Sequence, residues 1–172
     1  QSHNFYPTHV WSDRKKVQLD RKHYSHTLIA DECLKFIRAN KDKPFFCYVP
    51  FTIPHAAMQA PEDRVAPWRK KFPEFENVTG RYGGSTTKNP VAAFAAMMTL
   101  MDEDVGRILD LLEELEIEEN TLVIFTSDNG PHKEGGHKPD FFDSNGPLKG
   151  YKRDLYEGGI RVATTAWWPG KI

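Results

Sequence analysis

Ser127-Asp128-Asn129-Gly130 sets a carboxylate and an amide oxygen side by side, followed by a glycine that can fold both toward one point. Two hard oxygens of this kind suit Ca²⁺ or Mg²⁺ better than Zn²⁺. The same tetrapeptide is also an ordinary turn, and spacing alone leaves both readings open. His55, directly after Pro54, is either a proton carrier or a structural histidine. His132 and His137 flank Gly135-Gly136 with Asp140 nearby, but a glycine-bearing loop does not by itself set the tetrahedral geometry of a transition-metal site. Lys149, Lys152 and Arg153 supply cations, for an anionic substrate or for surface ion pairs. Cys33 and Cys47 lack paired CxxC spacing and read as two buried thiols.

These groups act together only if the fold gathers them. Residues 25–40 carry Ile29, Cys33, Phe36 and Ile37 at helical spacing, with Ser25 as the expected N-cap. Residues 45–49 are a wholly apolar run of strand formers, expected as a strand covered on both faces. In residues 91–116, Phe94, Met98, Met101, Val105, Ile108, Leu112 and Leu115 recur at alternating spacings of four and three, a single apolar helical stripe. Residues 121–126 and 160–168 read as further strands. Residues 1–22 read as an irregular arm pinned by Phe5 and Trp11, and residues 54–90 as a long connection. Helices alternating with strands predict an α/β domain built on a largely parallel sheet flanked by helices. Ligands in such domains bind beyond the carboxyl ends of strands, which singles out residues 50–55 and 127–131.

A chain of 172 residues suits one domain or part of a larger one. Its 23 basic and 24 acidic residues leave a net charge of -1, so no global field favours nucleic acid and any anion recognition must be local. Trp68-Arg69-Lys70-Lys71-Phe72 accordingly reads as a solvated basic loop. The longest apolar run, residues 91–98, falls short of the ~20 residues of a membrane span.

Order along the chain adds what the separate groups lack. The succession runs from Lys43-Pro44-Phe45-Phe46 through Val49-Pro50-Phe51 and Pro54-His55 to Asp102-Glu103-Asp104-Val105-Gly106-Arg107-Ile108. It continues with Phe125-Thr126-Ser127-Asp128-Asn129-Gly130-Pro131 and Ser144-Asn145-Gly146-Pro147-Leu148. It ends with Lys152, Tyr156-Glu157-Gly158-Gly159-Ile160-Arg161 and Trp168-Pro169-Gly170. This succession resembles the sulfatase family of the alkaline phosphatase superfamily, over nearly all of residues 20–172. The resemblance implies an alkaline-phosphatase-like α/β fold and hydrolysis of sulfuric esters. It implies that residues 1–172 are the central part of a single catalytic domain, truncated at both ends.

By the same resemblance, Asp128 and Asn129 are two ligands of one divalent cation, usually Ca²⁺. His55 contacts the sulfate and helps protonate the leaving oxygen, and Lys152 holds a sulfate oxygen. The family's nucleophile is a formylglycine made from a Cys- or Ser-x-Pro-x-Arg motif. This sequence has no such motif, so the formylglycine is expected in the parent protein and the present chain alone is expected to be inactive and to bind Ca²⁺ weakly. Tyr151 stands where a glycine commonly precedes the lysine, which leaves the choice between Lys149 and Lys152 open. The loop from His132 to His137 resembles loops of sulfatases acting on sulfated glycans, so a sulfated carbohydrate, or an aryl sulfate ester, is the expected partner, with His132 and His137 as substrate-binding residues. Family resemblance places such a protein in the periplasm, outside the cell or in the lysosome; no signal peptide is visible in the sequence. Open sheet edges are expected to promote self-association. The alternatives are a phosphoesterase of the same superfamily, which Asn129 in place of a histidine disfavours, and a non-catalytic glycan-binding module.

Overall fold

A computed structural model describes residues 3–172. The spine of the molecule is the helix Pro90–Glu114, here α3. It starts sharply because Asn89 adopts a left-handed conformation and its side chain accepts a hydrogen bond from the Ala92 N–H at 3.0 Å. Pro90 follows at the first helical position, where no N–H is needed. The N-terminal half of α3 packs into a core of Phe5, Tyr24, Ile53, Met58 and Val65. Its C-terminal half packs Leu111 and Leu112 against Cys33 and Ile37 of the helix Ser25–Asn40, α1. Each large side chain buried this way stabilises the fold by ~1.5–3 kcal/mol.

Both helices lie where the periodicity places them. The N-cap of α1 does not: Ser25 is its first helical residue, and the preceding Tyr24 caps without a side-chain bond. Along α3 the predicted stripe is too narrow at the start, because Val91, Ala92, Ala93, Ala95, Ala96 and Met97 are all buried while Met98 is exposed. Small alanines let neighbouring elements close in on several sides of that half. One of those neighbours is Glu62–Lys71, α2, which lies in the stretch read as a connection. Pro67 inside α2 masks it from pattern reading. The same stretch folds a hairpin, β3 (Thr79–Tyr82) against β4 (Ser85–Lys88). The expected irregular arm is likewise a hairpin, β1 (His9–Ser12) and β2 (Lys15–Gln18); Phe5 does anchor it, whereas Trp11 is exposed.

The expected largely parallel sheet is not what the described residues form. Their strands make three two-stranded antiparallel sheets, the third pairing β5 (Val123–Phe125) with β6 (Thr165–Trp167). Residues 45–49 form no strand. They alternate instead, with Phe45, Cys47 and Val49 half-buried against the α1–α3 core and Phe46 and Tyr48 exposed. A strand needs a partner backbone, and a wholly apolar run cannot supply one by itself. Residues 160–168 also differ from expectation, since Glu157–Ile160 is a short helix, α4, before β6 begins.

Candidate functional site

His55 sits within a deeply buried segment: Ile53 before it and Ala56, Ala57 and Met58 after it are all in the core. Its backbone N–H donates to the Thr52 carbonyl at 3.1 Å. Nδ1 of the ring donates to the Ala56 carbonyl at 2.6 Å, which leaves Nε2 as the acceptor. Lys152 Nζ stands 3.3 Å from that Nε2. A histidine and a lysine 97 positions apart in sequence thus share one point.

Glycines bring Lys152 there. The loop after β5 and the segment before α4 touch backbone to backbone: Gly130 N–H donates to the Gly159 carbonyl at 3.0 Å. A Cβ on Gly130 would lie 1.9 Å from the Gly158 carbonyl oxygen, an impossible contact. The Lys152 N–H then donates to the Pro131 carbonyl at 2.8 Å, fixing the lysine beside the loop that carries Asp128 and Asn129. Lys149, the other candidate, lies over the Tyr156 ring with Nζ 3.9 Å from its centroid.

His132 is buried next to this pair, its ring 5.8 Å from that of His55. Its Nε2 donates to the Pro54 carbonyl at 3.2 Å, and its Nδ1 accepts the Glu134 N–H at 3.2 Å. Burial pushes His132 below the ordinary histidine pKa, the hydrogen bond to the Pro54 carbonyl opposes it, and the nearby charges of Lys152 and Arg153 push the same way as burial. Arg153 pairs with Glu134. His137 lies one ring further, 5.1 Å from His132, packed against Phe94 and Phe142. Burial drives His137 down to about 3, with His132 contributing less, so it is a neutral ring.

Asp128 is exposed and Asn129 half-buried just past β5. Asn129 Nδ2 donates to the Gly130 carbonyl at 2.9 Å, which leaves its Oδ1 available. The Asp128 carboxylate makes no hydrogen bond or ion pair among the described residues. Two free hard oxygens fit the donor chemistry of Ca²⁺ but are only part of the ~6–8 it takes. Among the described residues, no group of three or more His, Cys, Asp or Glu side chains could hold a metal. No hydrogen bond or ion pair links this pair to His55 or Lys152.

Two neighbours of His55 escaped the sequence reading. His3 stacks on its ring at 5.0 Å and 9°, and Tyr82 of β3 meets it edge-on at 5.7 Å. Neither carries a motif, and the only available signal was an aromatic side chain at the end of a short strand. No helix among the described residues is long and apolar enough to cross a membrane.

The structure therefore brings His55 and Lys152 together, with Asp128 and Asn129 on the adjoining loop after β5. A family model, Sulfatase, matches residues 2–172. The chain is 36% identical to the N-acetylgalactosamine-6-sulfatase of Rattus norvegicus, a match covering 84% of the chain and 24% of that protein. It is 34% identical to an arylsulfatase of Hemicentrotus pulcherrimus, covering 84% of the chain and 22% of that protein. Among solved structures, Ps i-CgsB in complex with k-i-k-neocarrahexaose superposes with a TM-score of 0.71 at 29% identity, over 92% of this chain and 30% of that one. The chain spans about a quarter of the length of the curated relatives it matches. A family-model match running from residue 2 to residue 172 makes this chain a member of the sulfatase family.

Proposed function

We propose that the protein to which this chain belongs hydrolyses the sulfate ester of a sulfated carbohydrate, with His55 and Lys152 at the reacting group. The approach of Lys152 Nζ to His55 Nε2 carries this reading. In the reaction the ester S–O bond breaks, and the departing oxygen must gain a proton to leave as an alcohol rather than an alkoxide. Lys152 has protons enough to hold one sulfate oxygen while sharing another with His55 Nε2. His55 delivers that proton to the leaving oxygen, its ring held in place by the Nδ1 bond to Ala56. Asp128 and Asn129 would contribute to holding Ca²⁺, which neutralises sulfate charge, and a formylglycine from outside these 172 residues would supply the nucleophile. His132, with His137 behind it, forms the wall facing the sugar. Two named relatives support the carbohydrate: N-acetylgalactosamine-6-sulfatase and a structure complexed with k-i-k-neocarrahexaose. The periplasm, the extracellular space or the lysosome is the compartment this reading favours.

The test is sulfate release by the full-length protein from a sulfated oligosaccharide and from matched aryl sulfate and aryl phosphate. Preference for sulfate, lost in His55→Ala, supports the reading. Preference for the phosphate ester would assign the site to a phosphoesterase, and no turnover of either in the presence of Ca²⁺ would make it a binding module.

A further inference from the structure

More than its own hydrogen bonds holds the His55 ring. His3 lies on the face of the imidazole, centroid to centroid 5.0 Å and 9° from parallel. Tyr82 meets both rings edge-on, 5.7 Å from His55 and 5.3 Å from His3. We propose that His3 and Tyr82 are positioning residues for sulfate-ester cleavage: together they clamp the His55 imidazole so that Nε2 stays aimed at the leaving oxygen. The inference rests on the assignment of proton delivery to His55.

Geometry gives such a clamp its purpose. Nδ1 donates to the Ala56 carbonyl at 2.6 Å, and that bond restrains the ring at one corner only. Swinging about that corner carries Nε2 off line, and a misplacement of ~1 Å at a reacting group can cost ~10²-fold in rate. A stacked ring blocks movement toward one face, and an edge-on ring limits sliding within the plane. Both arrangements are the ones aromatic rings favour.

Two separate elements supply the clamp, and both are tied to the segment that carries His55. Tyr82 ends β3, opposite Ser85 of β4. The Thr87 hydroxyl of this hairpin donates to the Ala57 and Met58 carbonyls, at 3.0 and 3.2 Å. A Cβ on Gly80 would stand 1.9 Å from the Gly135 carbonyl oxygen, so β3 rests directly on the backbone of the loop that carries His132. His3 comes from the N-terminal arm, where Phe5 is buried and its N–H donates to Gln59 Oε1 at 2.7 Å. The Gln59 amide in turn donates to the Ser85 hydroxyl at 3.4 Å, which joins arm and hairpin just past His55. Neither His3 nor Tyr82 is hydrogen-bonded to Lys152, so both reach the chemistry through His55.

The experiment compares kcat and KM of the full-length protein for phenyl sulfate and for 4-nitrophenyl sulfate. The phenyl ester needs a proton on its leaving oxygen, whereas 4-nitrophenolate is stable enough to depart without one. His3→Ala and Tyr82→Ala should each lower kcat for phenyl sulfate about tenfold with KM within twofold, and lower kcat for 4-nitrophenyl sulfate less than twofold. Turnover of the nitrophenyl ester also shows that each variant is folded. His3→Phe and Tyr82→Phe keep a ring in place and should retain at least half of the wild-type kcat on both esters. Equal loss on the two esters, no loss on either, or phenylalanine variants as impaired as the alanine ones would overturn the clamp. His55→Ala tests the underlying assignment separately. A loss there that is larger on phenyl sulfate, without one at His3 or Tyr82, refutes the clamp alone. An equal loss on both esters refutes His55 as the acid, and no turnover of either ester by wild-type protein refutes the sulfatase reading itself.

Discussion

Lys152 Nζ lies 3.3 Å from His55 Nε2, although 97 positions separate the two residues. Lys149, three residues earlier, is committed to the face of Tyr156. In the full-length protein, His55→Ala and Lys152→Ala should each lower kcat for an aryl sulfate by ~10²-fold or more, the magnitude seen when one positioned acid or charge-stabilising donor is removed. Lys149→Ala should change kcat less than threefold. A larger effect at Lys149 than at Lys152 would reverse the assignment.

Acid should unfold this fold through its histidines. Burial holds His137 at about 3 and depresses His132, and it also depresses His26 despite an Asp104 carboxylate 2.8 Å away. In the unfolded chain these rings regain a value of about 6.5. The unfolded state therefore takes up protons that the folded state refuses, and stability falls as pH drops from about 6.5 toward 3. For His137 the separation corresponds to a loss on the order of 2–4 kcal/mol across that window. Chemical unfolding at a series of pH values should show the slope, and His137→Phe should flatten it between pH 6 and 4. An unchanged slope in that variant would place the acid lability elsewhere.

The 172-residue chain on its own should release no sulfate from an aryl sulfate even with Ca²⁺ present. It contains no formylglycine motif, and Asp128 and Asn129 make too few ligands to hold the cation tightly. Calorimetry should find Ca²⁺ affinity no better than millimolar. Phe46, Tyr48, Ile124 and Phe125 are exposed together with a short, open β5–β6 pair, so size-exclusion chromatography should show concentration-dependent self-association. Turnover that His55→Ala abolishes would show that these residues suffice for catalysis.

Cys33 Sγ and Cys47 Sγ approach to 3.7 Å as free thiols, closing a short loop between α1 and residues 45–49. Burial first, and then the neighbouring Cys47, push the Cys33 thiol up to about 12, so its thiolate is scarce at neutral pH. A mild oxidant should therefore join them slowly in the folded state and faster in denaturant. Once formed, the bridge should stabilise the fold by up to ~3 kcal/mol by restricting the unfolded chain. Mass spectrometry of the oxidised protein, with its unfolding midpoint, measures both effects.

The sequence by itself determined the two long helices, because their apolar periodicity is local and each helix satisfies its own backbone. It also determined the chemical types at the site, through Pro54-His55, Ser127-Asp128-Asn129-Gly130 and the Glu157-Gly158-Gly159 run with Lys152 ahead of it. Strands were a different matter. Residues 45–49 have strand composition but no ladder, and β5 pairs with β6 antiparallel, since strand pairing depends on which remote backbone arrives alongside. Tertiary structure alone decided that Lys152 rather than Lys149 faces His55, because the choice rests on Gly130 meeting the backbone at Gly158 and Gly159. It alone placed His3 and Tyr82 against His55 and left His137 unpartnered at a cavity wall. Such placements are set by packing between segments far apart in the chain, and no local pattern encodes them.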